Sequence, residues 1–210
     1  MDLSGLVARG AYIAASVTGR TGKTVLDRYF VRFPDVYSME KNGDGRFLAM
    51  AEAIGRHVGK VDSLLDASCH EGYGIALIAR RLGATRIEGL DVSDVAIARA
   101  RVRLADFDAT LRQFDLRELY RYPERTLPAA RADVVIVSEV LYYLGLRWRF
   151  AALHAREKLR MVEALKAAAG KAVLFQHFGR DVRKPIDSVL TQCGARLVDE
   201  QWGIYVLATA

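Results

Sequence analysis

Cysteine is almost missing, with only Cys69 and Cys193 in a chain of 210 residues. Two cysteines cannot build the dense disulfide scaffold of a small secreted domain, and they lack the paired spacing of a zinc site. The expectation is chemistry without a metal in a reducing, cytoplasmic setting. Long apolar runs are missing too. The most apolar early stretch, 11–17, is brief and follows a single basic residue, Arg9, so neither a membrane span nor a secretory leader is expected. Internal repeats, low-complexity tracts and linkers are also absent, which points to a single domain over 1–210. At 51% hydrophobic residues, that length can bury one sizeable core. The net charge of +6 comes from arginines within helical patterns, among them Arg99, Arg101, Arg103, Arg147, Arg149, Arg156 and Arg160. They read as a solvated helix surface rather than a nucleic-acid footprint.

Residues 1–60 contain no clean strand and read as a helical cap, whereas 61–210 alternate short apolar runs with helical patterns as a parallel sheet requires. In the cap, Phe47, Met50, Ala51, Ile54 and Val58 recur at helical steps and mark one amphipathic helix running toward Gly59. Strands are predicted at 63–65, 86–90, 109–114, 133–137 and 172–175. Helices carrying Ile75 to Leu82, then Val95, Ile97, Val102 and Leu104, separate the first three, with Ser93 as the N-cap of the second. A long helix at 147–169 and a short one at 185–192 follow. Runs at 196–202 and 204–209, separated only by Gly203, are too close for a parallel crossover and must pair antiparallel. The prediction is an α/β fold: a Rossmann-like, mostly parallel seven-stranded sheet with an antiparallel C-terminal strand and an N-terminal helical cap.

In open parallel sheets a ligand lies beyond the carboxyl ends of the strands. There the first strand passes to its helix through Asp66-Ala67-Ser68-Cys69-His70-Glu71-Gly72-Tyr73-Gly74, in which Gly72 and Gly74 let backbone approach a ligand. The helix N-terminus beyond them suits an anionic group such as a carboxylate. Asp91, followed by Val92, ends the second strand and can accept both hydroxyls of a ribose while repelling a 2′-phosphate. Asp115 ends the third strand, where it can take an adenine amino group with Leu116 near the ring. Three acids at consecutive strand ends also surround a cationic ligand with favourable charge.

On these residues the sequence resembles the class I S-adenosylmethionine-dependent methyltransferases over roughly residues 60–210. The segment Asp133-Val134-Val135-Ile136-Val137-Ser138-Glu139-Val140-Leu141-Tyr142-Tyr143-Leu144, with Pro34-Asp35-Val36-Tyr37-Ser38-Met39-Glu40 in the cap, looks like the small methyltransferases related to the rhizobial nodulation N-methyltransferase. The resemblance implies S-adenosyl-L-methionine as cofactor. It puts Asp66, Ser68, His70, Gly72 and Gly74 beside the methionine part, Asp91 and Val92 at the ribose, and Asp115 and Leu116 at the adenine. Ser138 falls near the sulfonium, with Tyr37 closing over the site. The family usually has glycine where Ser68 stands, and a side chain there leaves less room beside the cofactor.

Transfer from a sulfonium is an in-line displacement that depends chiefly on alignment and exclusion of water. Glu139 and Tyr142 after the fourth strand and His177 after the fifth are the candidate catalytic residues, Glu139 or His177 serving as orienter or base toward a small-molecule nitrogen or oxygen acceptor. A nicotinamide dehydrogenase would need a third glycine where Leu77 stands, and Tyr143 is followed four residues on by Arg147 instead of lysine. Gly19-Arg20-Thr21-Gly22-Lys23-Thr24 is no phosphate loop, because Val17 occupies its first glycine position. The same fold would also serve a cofactor-binding protein without turnover, or a nucleic-acid methyltransferase, for which no appended binding module is seen.

Overall fold

The computed structural model describes residues 7, 10, 11, 14, 15, 22–33, 44–122, 124–141, 155–177 and 180–209. Helices α1 (Lys23–Arg32) and α2 (Asp44–His57) precede the sheet. Then come β1 (Ser63–Asp66), α3 (Tyr73–Leu82), β2 (Arg86–Asp91), α4 (Asp94–Arg103), β3 (Asp108–Gln113) and the single turn α5 (Glu118–Arg121). The second half comprises β4 (Ala132–Ser138), α6 (Ala155–Ala168), β5 (Ala169–Gln176), α7 (Arg180–Gln192), β6 (Arg196–Asp199) and β7 (Ile204–Ala208). Among the described residues no helix is long and apolar enough to cross a membrane.

The seven strands form one sheet in the order β3-β2-β1-β4-β5-β7-β6. Strands β1 to β5 pair parallel, and β7 runs antiparallel to both β5 and β6, as the short Gly203 connection demands. Central strands buried on both faces are near-continuous apolar runs because helices cover each side. Successive residues therefore feed opposite cores. Leu64, Val134, Ile136 and Leu174 pack with Phe47, Met50 and Ile54 of α2 and Ile75 and Ile78 of α3. Leu65, Val135, Val137, Val173 and Phe175 pack with Met161, Val162 and Leu165 of α6 and Ile186 and Leu190 of α7.

At the amino edge of the sheet, Asp133 locks the register of β1 against β4. Its Oδ2 accepts the backbone N–H of Asp62 at 2.7 Å and of Ser63 at 3.3 Å, and Lys171 lies 3.3 Å from its Oδ1. Partial burial pushes this carboxyl up, but the N–H donors and Lys171 outweigh it and hold the acid below its usual range.

Several sequence expectations need correction. β3 stops at Gln113, so Asp115 lies in the loop beyond its end. Val102 is 80% exposed on α4, whose small buried face is Ala96, Ile97 and Ala100. α7 begins at Arg180, more than a turn before Pro185, where the sequence pattern starts the helix. β6 ends at Asp199, leaving Trp202 in the turn. Arg99 and Arg103 of α4 are half-buried, less solvated than expected, while Arg101 stays exposed. Arg99 reaches the Phe30 carbonyl, Arg101 the Leu111 carbonyl and Arg103 the Glu71 carbonyl, so the basic face is largely spent on internal acceptors.

Candidate functional site

Strand order reverses between β1 and β4, and the carboxyl edge at that reversal is where an open α/β sheet opens a crevice. The turn after β1 is stitched down on both sides. Ala67 N–H donates to the Ile136 carbonyl of β4 at 2.9 Å and Cys69 N–H to the Leu90 carbonyl of β2 at 2.8 Å. Asp66 accepts Ser68 N–H at 3.0 Å, and Asp91 accepts His70 N–H at 3.0 Å and Ser93 N–H at 2.9 Å. Two acids from neighbouring strand ends thus grip one turn. His70 has φ 49° and Gly72 φ 81°, two left-handed positions that turn the chain up into α3.

Burial pushes the Asp66 carboxyl up to about 7, against the pull of the Ser68 N–H and with a further push from Asp91. Burial likewise lifts Asp91 to about 6, although the N–H groups of Ser93 and His70 favour its charged form. Both acids are therefore held where an added positive charge or hydroxyl donor is favoured. Burial and the two acids also push the Cys69 thiol well up, leaving it a poor nucleophile.

α1 lies over this turn. Ser93 caps α4 by accepting Ala96 N–H at 3.2 Å and donates its hydroxyl to Asp27 at 2.5 Å. Lys23 stands 2.7 Å from both Asp27 and Asp94. Arg99 joins Glu71 in an ion pair and donates to the Phe30 carbonyl at 3.0 Å, while the Phe30 ring meets His70 edge-on at 4.7 Å. The sequence reading overlooked α1, whose signal is the Lys23/Asp27 pair at helical spacing beside Val25, Leu26, Tyr29 and Phe30.

Both glycines also make room for neighbouring side chains. A Cβ on Gly74 would sit 2.3 Å from the Phe47 ring, so the space beside it belongs to α2. A Cβ on Gly72 would meet Leu104 and Ala100 of α4 at 3.2–3.3 Å. Asp115 is likewise engaged internally: Arg117 forks onto it, with Nε at 2.8 Å from Oδ1 and Nη2 at 2.5 Å from Oδ2. Leu116 points into the core with Leu65 and Leu90. Val92 offers its carbonyl to Gln113 Nε2 at 3.3 Å.

On the other side of the crevice, Ser68 Oγ donates to the Ser138 carbonyl at 3.1 Å, tying the turn to the end of β4. Ser138 Oγ in turn donates to Gln176 Oε1 at 2.7 Å. Glu139, half-buried with φ 54°, accepts from Gln176 Nε2 at 3.1 Å and donates its own N–H to the Gln176 carbonyl at 3.0 Å. His177, expected at the rim, is 1% exposed and donates its N–H to the Gly203 carbonyl, so it packs beneath the edge. Tyr37 and Tyr142 lie outside the described residues. Among those described, no group of His, Cys, Asp and Glu could hold a metal ion.

Residues 64–163 match the family described as "Methyltransferase domain". Among solved structures, the N-methyltransferase NodS from Bradyrhizobium japonicum WM9 in complex with S-adenosyl-L-homocysteine superposes with TM-score 0.57 at 20% identity, over 84% of this chain and 91% of that one. A putative methyltransferase from Pseudomonas syringae gives 0.54 at 19% identity, over 78% and 96%. Monomeric WbdD gives 0.54 at 19%, over 80% of this chain but only 41% of its own, so the chain spans about two fifths of that protein's length. No curated protein matches the sequence significantly. These structural likenesses speak to the fold, and the family match speaks to the domain that occupies it. Residues 64–163 thus match a methyltransferase domain, and the chain shares the fold of NodS and of these other solved structures.

Proposed function

We propose that this chain works as a single-domain enzyme that methylates a nitrogen or oxygen atom of a small-molecule acceptor in the cytoplasm. The observation that carries the reading is the convergence of Asp66 and Asp91 on one turn at the strand-order reversal. One buried and one half-buried acid, both with raised pKa, are an acceptor set suited to the hydroxyls and positive charge of S-adenosylmethionine, and poorly suited to a pyrophosphate.

Asp91, with Val92 beside it, would receive the ribose hydroxyls. Asp66, Ser68, His70 and the Gly72–Gly74 backbone would face the methionine part, and the Asp115 loop would border the adenine end, with Leu116 in the core beneath it. Ser138 borders the reacting methyl. When bound, S-adenosylmethionine supplies a methyl group on a sulfonium, an electrophile needing no further activation. The chain's own part is to hold the acceptor in line and keep water away. Glu139, at the rim, is the acid placed to orient that acceptor; the burial of His177 leaves it a lesser candidate.

The test is transfer of radiolabel from S-adenosylmethionine to a panel of small amines, phenols and carboxylic acids. Labelled product from one of these supports the reading. Tight cofactor binding with no transfer to any acceptor class would support a binding protein on the same fold instead.

A further inference from the structure

The net charge of +6 is not spread evenly over the fold. Parallel strands all start at one edge of the sheet, so the helix-to-strand connections gather at that amino edge. Two of them, 56–62 between α2 and β1 and 80–86 between α3 and β2, hold five lysines and arginines against one acid, Asp62. The register sets Arg86 beside Ser63, Leu64 beside Val134 and Val134 beside Ala172, which brings Arg131 and Lys171 to the same edge. The carboxyl edge has the opposite sign, with Asp66, Asp91, Asp94, Asp115 and Glu139 at or just beyond strand ends. Charge is thus sorted along the strand axis.

Helix polarity explains part of this, because Arg56, Arg80 and Arg81 close the last turns of α2 and α3. It does not explain Arg86 and Arg131, which stand at strand starts. Both are exposed, and neither has a carboxylate partner among the described residues. Each is pinned by a backbone carbonyl instead: Arg86 Nη2 donates to the Arg131 carbonyl and Arg131 Nε to the Ala169 carbonyl, both at 3.1 Å. The acids between them are already matched by lysines, Asp133 by Lys171 at 3.3 Å and Asp62 by Lys60 at 3.5 Å. Two guanidiniums therefore remain in surplus side by side, held in place and with N–H groups to spare. Asp106 and Asp108 border this patch at its β3 end.

We propose that the amino edge is a docking surface for an anionic phospholipid bilayer, on which the chain sits peripherally with its acidic edge and cofactor turn facing away. Guanidiniums fork onto phosphate oxygens, and every basic residue near an anionic leaflet adds to the attraction. The positive charge covers both the sheet edge and the α2 and α3 layer beside it, a spread that a flat surface meets at once and a single extended acidic peptide does not. A single-stranded nucleic acid would need exposed rings for its bases to stack on. The one Phe, Tyr or Trp in the connections 56–62, 80–86 and 104–108 is Phe107, and the Arg80 guanidinium lies over its ring at 5.4 Å. Repulsion between the carboxyl-edge acids and the bilayer fixes the orientation.

The experiment is cosedimentation of the full chain with vesicles of phosphatidylcholine alone or of phosphatidylcholine and phosphatidylserine in equal parts, at physiological salt, where screening confines the effect to charges within about 8 Å of the surface. The chain pellets with the mixed vesicles, stays in solution with phosphatidylcholine alone, and is released as salt rises. Arg56→Gln with Arg81→Gln lowers the affinity by about fivefold for each charge removed, and Arg86→Gln with Arg131→Gln does the same. Arg28→Gln with Arg32→Gln, an equal loss of charge on α1 at the other edge, leaves binding within about twofold of the parent. Urea unfolding checks that each variant is folded; if the strand-start pair is not, the helix-end pair decides. No pelleting with the mixed vesicles, equal pelleting with both kinds, or an equal loss in the α1 pair would overturn the inference. So would tighter binding to a single-stranded oligonucleotide than to the mixed vesicles, which would make the partner a nucleic acid.

Discussion

Replacing Asp66 by asparagine removes a buried charge without changing shape, and its effect on stability must depend on pH. In the unfolded chain this carboxyl ionises near 3.8, whereas burial lifts it to about 7 in the fold. Below 3.8 both states hold the proton and the acid costs nothing. Between 3.8 and 7 the unfolded state loses its proton first, so stability falls as pH rises. Above 7 both are ionised and the full penalty applies. Each tenfold change in acidity is about 1.36 kcal/mol, so the rise from 3.8 to about 7 withholds on the order of 4 kcal/mol at pH 8.5. Asparagine keeps an oxygen for the Ser68 N–H but buries an amide group, at a cost of about 1–3 kcal/mol. Asp66→Asn should therefore be less stable than the parent at pH 4 and more stable by about 1–3 kcal/mol at pH 8.5. Urea unfolding at the two values measures it. A stability difference that stays constant with pH would refute the reasoning.

Three other outcomes follow from the same geometry. Because the Asp91 carboxyl titrates at about 6 and must be ionised to accept two hydroxyls, affinity for S-adenosylhomocysteine rises from pH 5 to 7, approaching tenfold per pH step below 6; calorimetry across that range checks it. Gly74→Ala drives a Cβ to 2.3 Å from the Phe47 ring, an overpacking of about 1–3 kcal/mol that the helix preference for alanine offsets by about 1. Its thermal midpoint falls by a few degrees, and Phe47→Leu in the same chain recovers part of the loss. Arg99→Ala cuts the link from α4 to both Glu71 and the Phe30 carbonyl, so proteolytic cleavage within 22–33 speeds up several-fold while the sheet's circular dichroism is unchanged.

The ends of β1, β2, β4 and β5 were legible because apolar runs such as Val134-Val135-Ile136-Val137 stop abruptly at polar residues, whereas the less apolar β3 and β6 carried no such stop. The Ser93 cap was legible for the same local reason, a short hydroxyl beside the first N–H groups of a helix. What sequence could not show was who fills a space. Gly74 reads equally as room for a ligand or room for Phe47, and only tertiary packing decides. Asp115 and Arg117 are two residues apart, yet nothing in that spacing requires the guanidinium to fold back onto the acid. The Gln176–Glu139 hydrogen bond joins residues 37 apart in sequence, through two strands whose adjacency is itself a tertiary fact.

Whether the acids ending β1 and β2 hold the adenosyl cofactor is read out by calorimetric titration of S-adenosylhomocysteine into the parent chain and into Asp91→Ala. Binding to the parent should saturate and fall at least tenfold in the variant, with the variant's urea unfolding transition still cooperative. Equal affinity in the two folded proteins would contradict it.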